Sequence, residues 1–227
     1  MAAQHNPIVI SLGGSLIIPE DLDEQFLSQF KEIISRRARK GYRFAIICGG
    51  GKICRKYQSA ANNISKASDT DIDQVGIAAT KLNAELLRAV FGKLAYKKVL
   101  TDPRKKILTR KIIIAAGYEP GCSSDWDAVA IAKNIGASVI INLSNIEYVY
   151  DKDPNKFSDA RPIPSMPWKE FFKIVGTKWT PGLNSPFDPI AAKLARKNKM
   201  KVLIVNGDLQ NFESCLDGKE FKGTLIG

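Results

Sequence analysis

The stretch Pro7-Ile8-Val9-Ile10-Ser11-Leu12-Gly13-Gly14-Ser15 carries the reading of the fold. Its apolar run does not alternate with polar residues, as a strand buried on both faces requires, and a glycine pair stops it. The same grammar returns at Phe44-Ala45-Ile46-Ile47-Cys48, stopped by Gly49-Gly50-Gly51. Further strands are predicted over 98–101, 112–115 and 138–143, then over 201–205, with 223–226 as a last edge strand. Between the first two, Leu22, Phe26, Phe30, Ile33, Ile34 and Arg37 recur at helical spacing until Gly41. Helices are predicted over 52–61, 71–91, 125–134 and 188–199, and the Pro- and Asp-rich segment 150–167 reads as an irregular excursion. Buried strands separated by helices give an α/β fold: a three-layer sandwich around a central, mainly parallel sheet. At 227 residues this is one domain over 1–227, or two lobes sharing one sheet.

The composition narrows the function. Apolar residues make up 44%, which suffices for a large core and excludes a disordered basic tail. No apolar run approaches the ~20 residues of a membrane span. Residues 1–7 lack the basic start and apolar middle of a signal peptide. The four cysteines Cys48, Cys54, Cys122 and Cys215 form no C-x-x-C pair, and the only histidine is His5. No structural zinc, resident metal, disulfide framework or histidine-based catalysis is therefore expected, and a cytoplasmic setting fits. The net charge of +11 points to an anionic partner or to a lysine-solvated surface.

In open α/β sheets ligands bind beyond the carboxyl ends of the strands, where helix N-termini present free N–H groups. Four segments are of that kind. Gly13-Gly14-Ser15 is a phosphate cradle or a tight strand-to-helix turn. Gly49-Gly50-Gly51-Lys52, with Arg55 following, has more glycines than a turn needs. The loop Gly117-Tyr118-Glu119-Pro120-Gly121-Cys122-Ser123-Ser124-Asp125 presents hydroxyls and amides at a helix start, where they either cap the helix or hold an anion. Asp188-Pro189 is an N-cap signature whose carboxylate has a catalytic reading as well. Neither a G-x-x-x-x-G-K-[ST] loop nor a strand-linked G-x-G-x-x-G is present, which disfavours a P-loop and a dinucleotide fold.

Taken in order, these segments resemble the UMP kinases (uridylate kinases) of the amino-acid kinase superfamily. The resemblance runs from Ile8 to Ile226. It rests on Ser11-Leu12-Gly13-Gly14-Ser15, on Gly49-Gly50-Gly51-Lys52 with Arg55, and on Asp73 with Gly76 ahead of Asn83-Ala84. It continues through Pro120-Gly121-Cys122-Ser123-Ser124-Asp125, Ser144-Asn145 and Tyr150-Asp151-Lys152-Asp153-Pro154. Asp188-Pro189-Ile190-Ala191-Ala192-Lys193 and Gly223-Thr224-Leu225-Ile226 complete it.

The resemblance implies transfer of a phosphoryl group from ATP to UMP, with Mg²⁺ bound to the nucleotide. It assigns UMP to an N-terminal lobe, about 1–135, and ATP to a C-terminal lobe, about 136–227. Gly13, Gly14, Ser15, Gly51 and Arg55 would meet the ATP phosphates, and Ser144, Asn145, Tyr150 and Asp153 its adenine and ribose. Gly50, Asp73 and the run Gly117, Tyr118, Glu119, Pro120, Gly121, Cys122, Ser123 and Ser124 would hold UMP. Asp188 would organise the transfer centre. A homohexamer is the family's common assembly, and neither nucleic acid nor a membrane is an expected partner.

Three departures from the family pattern stand out. Ser11 occupies the place of a catalytic lysine, and Lys52 or Lys193 is the expected substitute. Glu147-Tyr148 replaces Asp-Gly on the adenine side. Trp126 and Asp127 precede Ala128-Val129-Ala130 as two extra residues, and Trp126 reads either as a base-stacking ring or as a residue packed at a subunit contact. The alternatives are another kinase of the superfamily, a non-catalytic nucleotide- or oxyanion-binding member, or a basic nucleic-acid-binding protein. The last would draw on Arg36-Arg37-Ala38-Arg39-Lys40, Arg104-Lys105-Lys106, Arg110-Lys111 and Arg196-Lys197-Asn198-Lys199. These clusters are scattered and lack an aromatic stripe, and basic residues at helix C-termini favour the dipole anyway.

Overall fold

The computed structural model describes residues 6–106, 109, 111–177 and 185–227; His5 and Arg110 lie outside them. In chain order the elements begin with β1 (Ile8–Leu12), α1 (Gly14–Ile17), α2 (Glu24–Arg39) and β2 (Phe44–Cys48). Next come α3 (Gly51–Ser65), α4 (Asp69–Phe91), β3 (Ile113–Ala115), α5 (Ser124–Ile135) and β4 (Val139–Ser144). The excursion holds β5 (Val149–Tyr150), β6 (Pro162–Ile163) and β7 (Ser165–Met166). It is followed by α6 (Trp168–Val175), α7 (Pro189–Lys197), β8 (Lys201–Asn206), α8 (Leu209–Leu216) and β9 (Gly223–Ile226).

Seven strands form one sheet in the order β3-β2-β1-β4-β8-β9-β7, and β5 and β6 make a separate antiparallel pair. The pairs from β3 through β8 are parallel; β9 pairs antiparallel with β8, and β7 runs parallel to β9. Side-chain alternation splits the core into two layers. Ile10, Leu12, Phe44, Ile46, Ile141 and Leu143 pack against Phe26 and Phe30 of α2, Leu87 of α4 and Phe212 of α8. Val9, Ala45, Ile47 and Ile140 face Val129 and Ala132 of α5, Phe171 of α6 and Ala192 of α7. Helices thus cover both faces, as the strands demand. The pairing of β1 with both β2 and β4 carries one sheet across the boundary near residue 135.

Two expectations are corrected. The segment 98–101 is not a strand: it makes a single bridge, Leu100 to Ala115, because Lys97-Lys98 offers no apolar run and Asp102-Pro103 stops pairing. Likewise, β9 is not the edge, since β7 pairs along its outer side. Only two residues long and flanked by Pro164 and Pro167, β7 is suited to the edge that it occupies. Phe91 and Trp168 are core residues. The basic clusters find local work: Arg36 pairs with Glu213, and Arg37 Nη1 with Asp217 at 2.7 Å, docking α8 on α2. Among the described residues no helix is long and apolar enough to cross a membrane.

Candidate active site

The parallel strands end together at Leu12, Cys48, Ala115, Ser144 and Asn206, and the two glycine turns, the loop 117–124 and Asp188 follow from that rim. Gly13 N–H donates to Leu143 O and Gly49 N–H to Leu12 O, both at 2.8 Å, so each glycine turn extends the sheet's bonding by one step. The two turns then touch backbone to backbone. A Cβ on Gly14 would overlap Gly51 N and lie 2.5 Å from Gly49 O, and one on Gly51 would lie 2.5 Å from Gly14 O. Gly51 also has φ +71°, a left-handed conformation that glycine adopts freely. Asn83 of α4 ties the second turn by donating to Gly49 O at 2.8 Å and to Gly50 O at 3.3 Å. At the same junction Arg55 donates to Ser15 Oγ at 3.4 Å, and Lys52 pairs with Glu20. Gly13, Gly14, Ser15, Gly50, Gly51, Lys52 and Arg55 are thereby brought together.

The loop 117–124 is the second part. Gly117 N–H donates to Thr80 Oγ1 at 2.9 Å, Tyr118 N–H to Asp127 Oδ2 at 3.2 Å, and Gly121 N–H to Asp73 Oδ2 at 2.8 Å. Cys122 N–H closes a turn on Glu119 O at 3.1 Å, across Pro120. Arg104 donates to the Tyr118 hydroxyl and lies 4.6 Å from its ring centroid. Ser123 caps α5 by accepting from Trp126 N–H at 3.1 Å, and the Trp126 ring packs against the second core layer. Burial pushes the Cys122 thiol up to about 11, with Asp127, Glu119 and Asp188 adding to the rise and Arg104 opposing it. This thiol stays protonated at neutral pH.

A carboxylate pair forms the third part. Asp125 Oδ1 accepts from Ser11 Oγ at 3.0 Å and from Asn142 Nδ2 at 3.2 Å, while its Oδ2 accepts from Asp188 N–H at 3.1 Å. Asp188 is buried; its Oδ1 caps α7 by accepting from Ile190 N–H at 2.7 Å, and its Oδ2 accepts from Ser123. Burial pushes the Asp125 carboxyl up to about 6, and the nearby Asp188 charge adds to that rise. Hydrogen bonds from Asp188 N–H and Ser11 hold it back. The family resemblance assigns no site role to Asp125 or Asn142, yet both sit at the heart of this centre. The sequence carries a signal for Asn142: like Ser11 it is a polar residue inside an apolar strand, and the sheet makes the two register partners in adjacent strands. Two polar side chains facing each other across a parallel ladder need a shared partner, and Asp125 is that partner.

The remaining expected residues are dispersed. Ser144 ends β4 and lies against Gly13, whose Cβ would be 3.2 Å from Ser144 Cα. Asn145 is exposed, and Tyr150 on β5 makes an edge contact with Tyr148 at 6.3 Å between ring centroids. Asp153 is exposed and occupied within its own loop, accepting from Asn155 N–H at 3.0 Å and pairing with Lys156 at 3.8 Å. Lys193 is on the exposed side of α7, where it donates to Thr177 O at 2.7 Å.

The site therefore combines exposed backbone at helix starts, two cations beside a glycine junction, and a buried carboxylate pair. That combination suits the handling of phosphates without histidine or a covalent nucleophile. Residues 6–206 match the model of the amino acid kinase family. The uridylate kinase of Methanocaldococcus jannaschii is 34% identical over 224 residues, spanning 96% of this chain and 98% of the relative. For the uridylate kinase of Methanospirillum hungatei the identity is 33%, across 96% of this chain and 94% of the relative. A crystal structure of uridylate kinase from Archaeoglobus fulgidus superposes with a TM-score of 0.82 at 30% identity, covering 97% of this chain and 99% of that one. The architecture, the site and the full-length likeness agree: the chain belongs to the amino acid kinase family.

Proposed function

We propose that this protein is a UMP kinase, a nucleoside monophosphate kinase that transfers the γ-phosphoryl group of ATP to UMP to give ADP and UDP. The observation that carries the reading is likeness to uridylate kinases along 96% of the chain. The residues fit the chemistry. An ionised UMP phosphate is already the nucleophile, so the transfer needs positioning and positive potential more than a proton acceptor. Lys52, Arg55 and the amides at the starts of α1 and α3 supply that potential at the glycine junction. Ser11 bears no charge; its hydroxyl orients Asp125, which with Asp188 and Asn142 forms a rigid wall beside the junction.

In this reading UMP binds at Gly50, Asp73 and the loop 117–124 of the N-terminal lobe. ATP meets Gly13, Gly14, Ser15, Gly51 and Arg55, with its nucleoside toward Ser144, Asn145, Tyr150 and Asp153. Mg²⁺ carried on the ATP phosphates would offset part of their charge. Lys52 and Lys193 remain the two proposed substitutes for the family lysine, and Lys52 has the support of standing at the glycine junction. The setting is cytoplasmic, and the chain assembles with copies of itself as a homohexamer. Support for self-association comes from α3, which buries no residue although Tyr57 and Ile64 share one of its faces, with Leu82 of α4 also exposed.

The deciding experiment is an ADP-release assay with UMP, CMP, dUMP and AMP as acceptors. Turnover with UMP above the other three is expected, and no turnover with any of them rejects the kinase reading. Light scattering of the purified protein tests the hexamer.

A further inference from the structure

Asp127 is a buried acid for which phosphoryl transfer has no evident use. It lies in the first turn of α5, and its residue is 0% exposed. Its Oδ2 accepts from Tyr118 N–H at 3.2 Å, while Oδ1 is buried with no hydrogen-bond partner. The charged groups acting on it are Glu119 from the loop and Asp125 from its own helix, both acids. Cys122 feels Asp127 in turn, and Arg104, which stands over Tyr118, acts on Cys122. A buried acid facing acids is unfavourable where an apolar residue of similar volume would pack well, so packing does not account for it.

The loop anchors supply an account. Three backbone amides of the loop are held by side chains from two helices. Thr80 and Asp73, both on α4, take Gly117 and Gly121. Tyr118 alone is held from α5, the helix whose first turn also carries Asp125. We propose that Asp127 is a positioning residue for the acceptor nucleotide: through Tyr118 N–H it locks the loop 117–122 to α5, setting the loop's distance from the Asp125–Asp188 centre. This rests on the reading of that loop as the UMP site. Burial, with the charges of Glu119 and Asp125 adding to it, pushes the Asp127 carboxyl up to about 8. Around neutral pH the group is therefore mainly the uncharged acid, which keeps an acceptor for Tyr118 N–H without burying a full charge against two acids.

Asp127→Val removes the acceptor at similar volume, and Asp127→Asn keeps one. The Val variant should raise KM for UMP by about fivefold or more, with KM for ATP changed less than about twofold, and the Asn variant should return KM for UMP to near the wild-type value. A smaller rise, an equal rise for both nucleotides, or no recovery in the Asn variant overturns the proposal. If the Val variant does not fold, hydrogen exchange of the wild-type protein decides. UMP, and not ATP, should slow exchange of the Tyr118 amide; slowing by both or by neither overturns the proposal. Wild-type protein that turns over no UMP would instead reject the kinase reading, so the two failures are distinguishable.

Discussion

The glycine junction and the carboxylate centre lie side by side at one end of the sheet, yet they are built in opposite ways. At the junction side chains are missing and two backbones touch, so Gly14 and Gly51 act by what they lack. At the centre, Ser11, Asp125, Asn142 and Asp188 interlock through hydrogen bonds, and each acts by the group it carries. The junction cannot adjust to an added atom, because a backbone peptide has nowhere to rotate. The centre has rotatable side chains but few partners to spare. One region should therefore fail sterically and the other chemically.

The most severe test is Gly14→Ala. Its Cβ meets Gly49 O at 2.5 Å and must push the two turns apart, so urea denaturation should show a loss of about 3 kcal/mol or more, or no folded protein. Stability within about 1 kcal/mol of wild type would mean that the turns slide freely and the junction is not rigid. Next is Asp125→Asn. It places a donor where one of the donors Ser11, Asn142 or Asp188 N–H needs an acceptor, at about 1–3 kcal/mol of stability, while kcat should fall about hundredfold. An equal loss of stability with unchanged kcat would make the centre structural alone.

The lysines sharpen the comparison further. Lys52→Ala should lower kcat by about tenfold or more, whereas Lys193→Ala should change it less than about threefold, because Lys193 is bonded to Thr177 O on an exposed face. Steady-state kinetics with saturating UMP separates them, and the reverse order would assign the family lysine's duty to α7.

The most gradual effect is a pH slope. The Asp127 carboxyl, raised to about 8, keeps its proton in the folded chain after the unfolded chain, ionising near 4, has lost it. Stability from this group is full below about pH 4 and falls as pH rises to about 8, by at most about 1.4 kcal/mol per unit, then levels off. Asp125, raised to about 6, contributes in the same direction up to that pH. Asp127→Asn should therefore flatten the fall between about pH 6 and 8 in urea titrations, and an unchanged slope would remove Asp127 as its source.

Much of this architecture was legible in the chain. Continuous apolar runs located β1, β2 and β4, the first two stopped by glycines, and required helices on both faces, because apolar residues on both sides of a strand must be covered. The four loops were found by the same logic, since glycines and caps at strand ends are local features. The short pieces were not legible. Strands β5, β6 and β7 have two residues each, too few for any periodicity, and they exist only through partners distant in the chain. Helices α6 and α8 are amphipathic but short, eight residues each, and Phe171 and Phe212 are recognisable as core only once the sheet faces are known. Asp188 is readable as a cap and Asp125 as the last residue of a loop at a helix start, and neither reading contains their contact.

The amino-acid sequence by itself determined the α/β class, the order of the main strands along the chain, the glycine turns and the presence of a single histidine, His5. These depend on residue type and near spacing, which backbone sterics and hydrophobic burial translate directly. Only the tertiary structure decided that Gly14 meets Gly51, that Ser11 and Asn142 share Asp125, that β9 is interior, and that Lys52 and Lys193 have different neighbours. Those contacts join residues 16 to 131 positions apart. Their geometry follows from sheet register and helix packing, which no local stretch of the chain encodes.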